Sequence, residues 1–355
     1  MNYIIVGQGL AGTILAHTLL NQNKTITIID SPDLSKTSKV AAGLYNPIVF
    51  KRLVKSWLAE ELLDLMDEFY PKAEELLNAK FYLKKKIVKP FSEEHEKVLW
   101  LKKTGEDIGK YLSKTIETGF LTDVIHNPIG TGEVIKAGNI DTNVFLDKSR
   151  DYFKANNILL EEEINYDLLT ISENSVNYKG TTANKLIFCE GHKATSNPYF
   201  NWLPFKLTKG ETLIVRIPEL HQQNADSKVL NKGVFILPLG DGLYKAGATY
   251  EWEDLTETPT EKGKLFLIEQ LRKLLKVPFE IIDHQAGIRP TVKDRRPLIG
   301  LHPDYPSLGV FNGLGTKGVM LAPYFAKQFA DYLESGIPMN KEVNIERFKS
   351  CKLPS

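Results

Sequence analysis

Three glycines within six residues, Gly7-Gln8-Gly9-Leu10-Ala11-Gly12, carry the sharpest chemical signal of this 355-residue chain. The first glycine permits a tight turn, the second lets backbone approach a phosphate, and the third allows a helix to pack closely on a strand. A helix opening there, at Leu10 and Ala11, presents free N–H groups and a positive dipole end to a pyrophosphate. Asp30 lies eighteen residues beyond Gly12, where a carboxylate can accept hydrogen bonds from a ribose diol. The pattern predicts dinucleotide binding; a glycine turn that only packs a helix on a strand is the plainer alternative. Other chemistry finds little support. The seven histidines are scattered with no H-x-x-x-H pair, so no metal site is expected. There is no Gly-x-Ser-x-Gly elbow and no Walker lysine. Cys189 and Cys351 form no C-x-x-C pair and no disulfide framework, which suits a reducing cytoplasm. Lys51, Arg52 and Lys55 beside Trp57 read as a solvated face or as the border of a pocket.

These residues need elements to hold them. Residues 3–6 read as a strand, 10–20 as a helix and 25–29 as a second strand. Residues 31–39 are polar and read as a loop. Over 56–77, Trp57, Leu58, Leu62, Leu65, Met66 and Phe69 recur at helical spacing, with Pro71 expected to kink or divide the helix. Short apolar or alternating runs then predict strands over 81–88, 159–164, 168–171, 176–178, 185–189, 211–216, 234–238 and 243–248. Helices are expected over 143–154, 260–275 and 319–333, and strands over 281–288, 298–300 and 308–311. Strand–helix–strand material thus stands at both ends of a strand-rich middle. That order predicts an α/β (α+β) two-domain chain. A discontinuous Rossmann-like dinucleotide domain (1–80, 140–200 and 280–355) is interrupted by an antiparallel-sheet substrate or cap domain (81–139 and 201–279).

Length also favours two domains over one. Lys and Arg number 45 against 44 Asp and Glu, so no bulk electrostatic partner such as duplex nucleic acid or an anionic membrane is expected. Residues 3–20 are apolar, but Gln8, His17 and three glycines interrupt them and no Lys or Arg precedes them; neither a signal segment nor a membrane span is expected.

Further motifs specify the dinucleotide. Residues 38–43, Ser-Lys-Val-Ala-Ala-Gly, contain Ala41, Ala42 and Gly43 and resemble the small-residue segment beside the flavin in the D-amino-acid oxidase-like family of FAD-dependent oxidoreductases. The stretch 287–300, Gly-Ile-Arg-Pro-Thr-Val-Lys-Asp-Arg-Arg-Pro-Leu-Ile-Gly, resembles that family's Gly-x-Arg-Pro…Asp…Pro-x-x-Gly segment. Residues 312–323 resemble its closing glycine loop and flavin-facing helix. Cys189-Glu190-Gly191 matches its strand ending in glycine, with Glu190 in place of a small residue. Lys209-Gly210-Glu211 and Gly247-Ala248-Thr249 fall in the family's order. The resemblance covers nearly the whole chain and points to glycine oxidase- and sarcosine oxidase-like members.

It implies non-covalent FAD, held by Gly7, Gly9, Leu10, Ala11, Gly12 and Asp30 at the nucleotide end, with Ile164 and Gly191 also in contact. Gly313, Gly315, Thr316, Lys317 and Gly318 would let backbone approach the flavin ring. The helix dipole and Lys317 would favour the charge of reduced flavin; a solvated loop lysine is the alternative. Arg289 matches the family's arginine that clamps a substrate carboxylate with its planar fork; pairing with Asp294 is the alternative. Tyr250 falls where the family lines its substrate pocket, with Tyr244 and Phe235 nearby; core packing is the alternative for each. The resemblance implies an enzyme that oxidises a C–N bond of a small amine or amino acid, by hydride transfer to flavin and imine hydrolysis. Oligomeric state is left open. The nearest alternative is the oxidase half of the bifunctional enzyme that modifies wobble uridine in tRNA. A non-catalytic flavin-binding protein and an NAD-linked dehydrogenase are the others.

Overall fold

Ile4, Ile5 and Val6 are buried on both faces of the strand Asn2–Val6, as suits a central strand of a parallel sheet. The structure, a computed structural model, describes residues 1–32, 36–223 and 225–351. Thr25–Ile29 and Lys185–Phe188 flank the first strand, both parallel to it, so that Val6 stands level with Ile29 and with Phe188. Leu159–Leu160 extends the sheet on one side. Leu308–Asn312, parallel, and Leu298–Leu301, antiparallel, extend it on the other. The chain leaves Asn2–Val6 toward one neighbour and returns at the other, which opens a crevice at the C-terminal strand ends.

Helix Leu10–Asn21 starts in that crevice and packs against helix Gly318–Ser335. Its approach depends on bare backbone. A β-carbon on Gly12 would lie 1.9 Å from the Gly7 carbonyl oxygen, and one on Gly7 would lie 2.7 Å from that of Cys189.

The second large sheet runs in the order Glu280–Arg289, Thr208–Arg216, Leu243–Gly247, Val234–Gly240, Lys228–Lys232, Lys86–Pro90, Thr131–Val134. Two expectations are corrected here. The sheet is mixed, because Lys228–Lys232 runs parallel to Lys86–Pro90. Residues 280–289 belong to this sheet rather than to the dinucleotide unit, because Glu280–Arg289 pairs with Thr208–Arg216 along its length. Helix Glu261–Leu274 covers one face, burying Leu267, Leu271 and Leu274 in a core with Leu213, Val215, Ile236 and Ala246. The two large sheets meet over residues 37–43. Thr37 Oγ1 donates to the Ile288 carbonyl at 2.8 Å, and Lys245 Nζ donates to the Val40 carbonyl at 2.9 Å. Burial holds the Lys245 ammonium below the ordinary lysine range.

Other differences have local causes. The helix Ala59–Leu77 runs on through Pro71, because Leu62, Met66, Tyr70, Ala73 and Leu77 bury one continuous stripe on both sides of it. Residues 161–164 leave the strand as Glu161 turns out to pair with Arg150 at 2.7 Å. The polar stretch 31–39 contains the start of a short helix, Thr37–Val40, while 33–35 lie outside the described residues. Among the described residues, no helix is long and apolar enough to cross a membrane.

The Gly7–Gly12 contact leaves no room for a methyl group. Gly12→Ala is expected to lower stability by roughly 1–3 kcal/mol as an overpacking substitution, measured by urea denaturation. A midpoint equal to wild type would show that the helix can shift away without loss.

Candidate functional site

The C-terminal ends of the parallel strands open on a cavity of about 820 Å³ that continues to the edge of the seven-stranded sheet. Gly7, Gly9, Leu10 and Ala11 line its inner end. The N-cap residue of the first helix, Gly9, has no side chain to cap it, and a β-carbon there would meet only Ser38 Oγ, at 3.7 Å. Leu10 N–H donates to Ser38 Oγ at 3.2 Å. Gly12 does not line the cavity; its part is the packing contact behind the turn.

Asp30 lines the same end, with its carboxylate already engaged. Oδ1 accepts from the Gln8 backbone N–H at 2.8 Å, and Oδ2 from Lys36 Nζ at 2.7 Å and Arg150 Nη1 at 2.6 Å. Both cations also reach Gln8 Oε1, at 3.3 and 3.1 Å. Arg150 is shared with Glu161, at 2.7 Å, so two carboxylates balance the two cations at the inner end, and burial holds Lys36 below its ordinary range. The sequence reading missed both cations. Arg150 sits on the amphipathic helix Thr142–Ala155, where an arginine reads as solvent-facing.

Ala41, Ala42, Gly43, Ile164 and Gly191 line the middle of the cavity. Gly43 needs its bareness, since a β-carbon would lie 1.9 Å from the Ile140 carbonyl oxygen. Glu190 lines the wall and accepts from Tyr166 Oη and, at 2.6 Å, from Asn197 Nδ2; burial raises its pKa.

The closing loop contributes Gly315, Thr316, Lys317 and Gly318 to the lining. Gly313 does not line the cavity but turns the chain at φ +73°. The helix Gly318–Ser335 also starts without a side-chain cap, and a β-carbon on Gly318 would lie 2.9 Å from Leu10 Cδ2. Two uncapped helix N-termini therefore converge on one cavity. Lys317 is no solvated loop residue: its Nζ donates to Ser56 Oγ, and burial pushes its pKa down to about 8. The basic cluster just before Ser56 does not border the cavity, and Lys55 is committed to Glu60 at 2.5 Å and Asp107 at 2.7 Å.

At the outer end stands Arg289. Its guanidinium lies across Gly210, where a β-carbon would fall 1.8 Å from Nη2. Nη1 and Nη2 donate to the Thr249 carbonyl at 3.2 and 3.3 Å, and Nη1 to the Lys209 carbonyl at 3.4 Å. The Tyr250 ring centroid is 4.6 Å from Cζ. Among the described residues no carboxylate pairs with Arg289; Asp294 pairs with Arg347, at 3.1 Å. Tyr250 and Phe235 line the cavity, whereas Tyr244 is buried in the core beneath the sheet. Gly210 stood out in the sequence only as a landmark; its steric part shows once the strands pair.

Bare glycine turns and two helix N-termini without N-cap side chains suit a dinucleotide with a pyrophosphate, so the cavity fits FAD. Among the described residues, no cluster of His, Cys, Asp and Glu could hold a metal ion. A family model described as FAD dependent oxidoreductase matches residues 2–332. Glycine oxidase of Bacillus subtilis is 25% identical over 381 residues, covering 96% of this chain and 94% of that protein. Glycine oxidase of Pseudomonas putida is 30% identical over 141 residues, which span 39% of this chain and 37% of that protein. The solved structure of iminodiacetate oxidase from Chelativorans sp. BNC1 superposes with a TM-score of 0.79 at 16% identity, covering 96% of this chain and 98% of that one.

Lys317 gives the site a pH signature. An unfolded lysine keeps its proton up to about pH 10.5, whereas the buried one loses it near pH 8. Between these values the unfolded state binds more protons, so stability rises with pH across that window. In cofactor-free protein, Lys317→Met is expected to exceed wild type in melting temperature at pH 7, with the gap narrowing from pH 8 to 10.5. A gap independent of pH would refute the shift.

Proposed function

The chain belongs to the FAD-dependent oxidoreductase family, and from that premise we propose that it oxidises the C–N bond of an amine that also carries a carboxylate. One observation carries this reading. Arg289 is a partly buried guanidinium that faces the cavity with carbonyl oxygens and a ring around it and no carboxylate among the described residues. A planar fork lacking an anion suits a substrate carboxylate, which it can bind through two parallel donors. Glycine and iminodiacetate, for which two of the similar proteins are named, both join nitrogen to carboxylate.

FAD, when bound, supplies the acceptor for the hydride from the carbon next to nitrogen. The backbone of Gly7, Gly9, Leu10 and Ala11 would hold its pyrophosphate, with Gly12 setting the helix in place. Ala41, Ala42, Gly43, Ile164 and Gly191 would line its length. Gly315, Thr316, Lys317 and Gly318 would face the ring, positioned by Gly313. Asp30 would reach the ribose through an oxygen already engaged, Oδ1 by the Gln8 N–H or Oδ2 by Lys36 and Arg150.

The remaining work falls to the substrate end. Arg289 fixes the carboxylate, and with it the carbon to be oxidised. Ile87, Phe235 and Ala248 line the cavity with apolar surface, which disfavours an ammonium and so favours the neutral amine from which hydride can leave. An amine bound neutral needs no side chain to take its proton. The imine product then hydrolyses in water.

Arg289→Lys and Gly210→Ala test this together. The first keeps the charge without the fork; the second puts a methyl group where the guanidinium lies. Both are expected to retain bound FAD and its spectrum. Each should lower kcat/KM for carboxylate-bearing amines by a factor equivalent to about 2–5 kcal/mol, with little effect on their decarboxylated analogues. Equal losses on both substrate types, or a wild-type preference for amines without carboxylate, would make Arg289 a structural residue and remove the reading.

A further inference from the structure

We propose that Tyr250 and Trp252 form a second subsite at the cavity mouth, which takes a flat ring carried on the substrate's nitrogen, so that N-arylalkyl amino acids are preferred to bare ones. The inference rests on Arg289 holding the carboxylate, as argued above. Tyr250 is 57% exposed and Trp252 55%, and their rings stack at 27° with centroids 6.3 Å apart. Single exposed aromatics are ordinary surface features; a stacked pair leading out of a cavity is not. Neither ring belongs to a hydrophobic core cluster, so packing does not account for them. Tyr250 lines the cavity and stacks beside the Arg289 guanidinium, so aromatic surface begins at the carboxylate clamp and runs outward to Trp252.

The segment that presents the rings is firmly held. Lys209, fully buried, sends its ammonium to Asp254 Oδ2 at 2.7 Å, Thr256 Oγ1 at 3.2 Å and the Thr258 carbonyl at 2.6 Å. Its backbone pairs with Glu251 in both directions, at 2.8 and 3.0 Å. Glu251 Oε1 in turn accepts from the N–H groups of Trp252 and Glu253, at 2.8 and 3.1 Å. The Lys209 carbonyl also receives Arg289 Nη1, so clamp and rings share one frame. Rings fixed in this way lose little conformational freedom when a ligand stacks on them.

The test uses FAD-bound protein and three acids in which an ether oxygen replaces the amine nitrogen: methoxyacetate, benzyloxyacetate and cyclohexylmethoxyacetate. Dissociation constants are read from flavin absorbance changes. Benzyloxyacetate is expected to bind about tenfold more tightly than either of the others, in keeping with ring stacking beyond area burial. Trp252→Ala should reduce that ratio below threefold, and Trp252→Phe should restore most of it. Trp252 is exposed, so neither change threatens the fold. A wild-type ratio near one, a tenfold ratio that survives Trp252→Ala, or equal binding of the benzyl and cyclohexylmethyl acids would overturn the subsite while leaving the carboxylate clamp standing. Failure of all three acids to bind would overturn the clamp and the subsite with it.

Discussion

Arg289 keeps its charge in a partly buried place where only carbonyl oxygens and an aromatic ring face it. Burial disfavours the charged form, and carbonyl dipoles compensate only in part. The neighbourhood is shaped to keep that charge available. Gly210 is bare so that the guanidinium can lie flat, and Asp294, the nearest carboxylate in sequence, is turned away to Arg347. The strand that bears Arg289 pairs along its length with the strand that bears Gly210, which fixes the two in register. An arginine neutralised by its own chain would stabilise the fold and bind nothing.

The opposite end of the cavity follows a different logic. There Lys36 and Arg150 meet on the carboxylate of Asp30, with Glu161 also on Arg150, and two helices begin at N-cap residues whose side chains make no capping bond. N–H groups at a helix N-terminus suit an anion, and the pyrophosphate of FAD is one. The short segment 37–43 ties the two ends. Thr37 holds the strand that ends in Arg289, Val40 receives Lys245 from the second sheet, and Ala41 to Gly43 form the wall between. The two ends of the cavity are thus set against each other by hydrogen bonds.

The glycine turn, the first strand–helix–strand unit and the last helix were legible because their spacing follows directly from backbone geometry. So was Arg289, through the motif around it. What escaped the sequence has a common cause. Helix Glu94–Lys103 buries only Trp100 and leaves Val98, Leu99 and Leu101 exposed, so its apolar residues show no helical period. Strands Thr131–Val134 and Lys228–Lys232 are too short and too polar to alternate. Pro71 misled because local propensity gave way to a stripe packed on both sides of it. Arg150 meets Asp30 across 120 residues and Ser56 meets Lys317 across 261, distances that no motif spans, while Lys36 lies in a polar stretch that reads as a loop.

The two large sheets are interleaved along the chain, and this dictates an order of assembly. The parallel sheet takes its first strand from residues 2–6 and one of its inner strands from 308–312, while the mixed sheet draws on 86–90, 131–134 and the stretch from 208 to 289. A ribosome delivers the nucleotide turn about 300 residues before the loop that closes the cavity, 315–318. Until residues 308–318 emerge, Lys185–Phe188 lacks its outer neighbour and the cofactor has no complete enclosure. Such long-range closure is slow and leaves strand edges exposed to other chains. Acquisition of flavin colour during synthesis would therefore await the emergence of that segment.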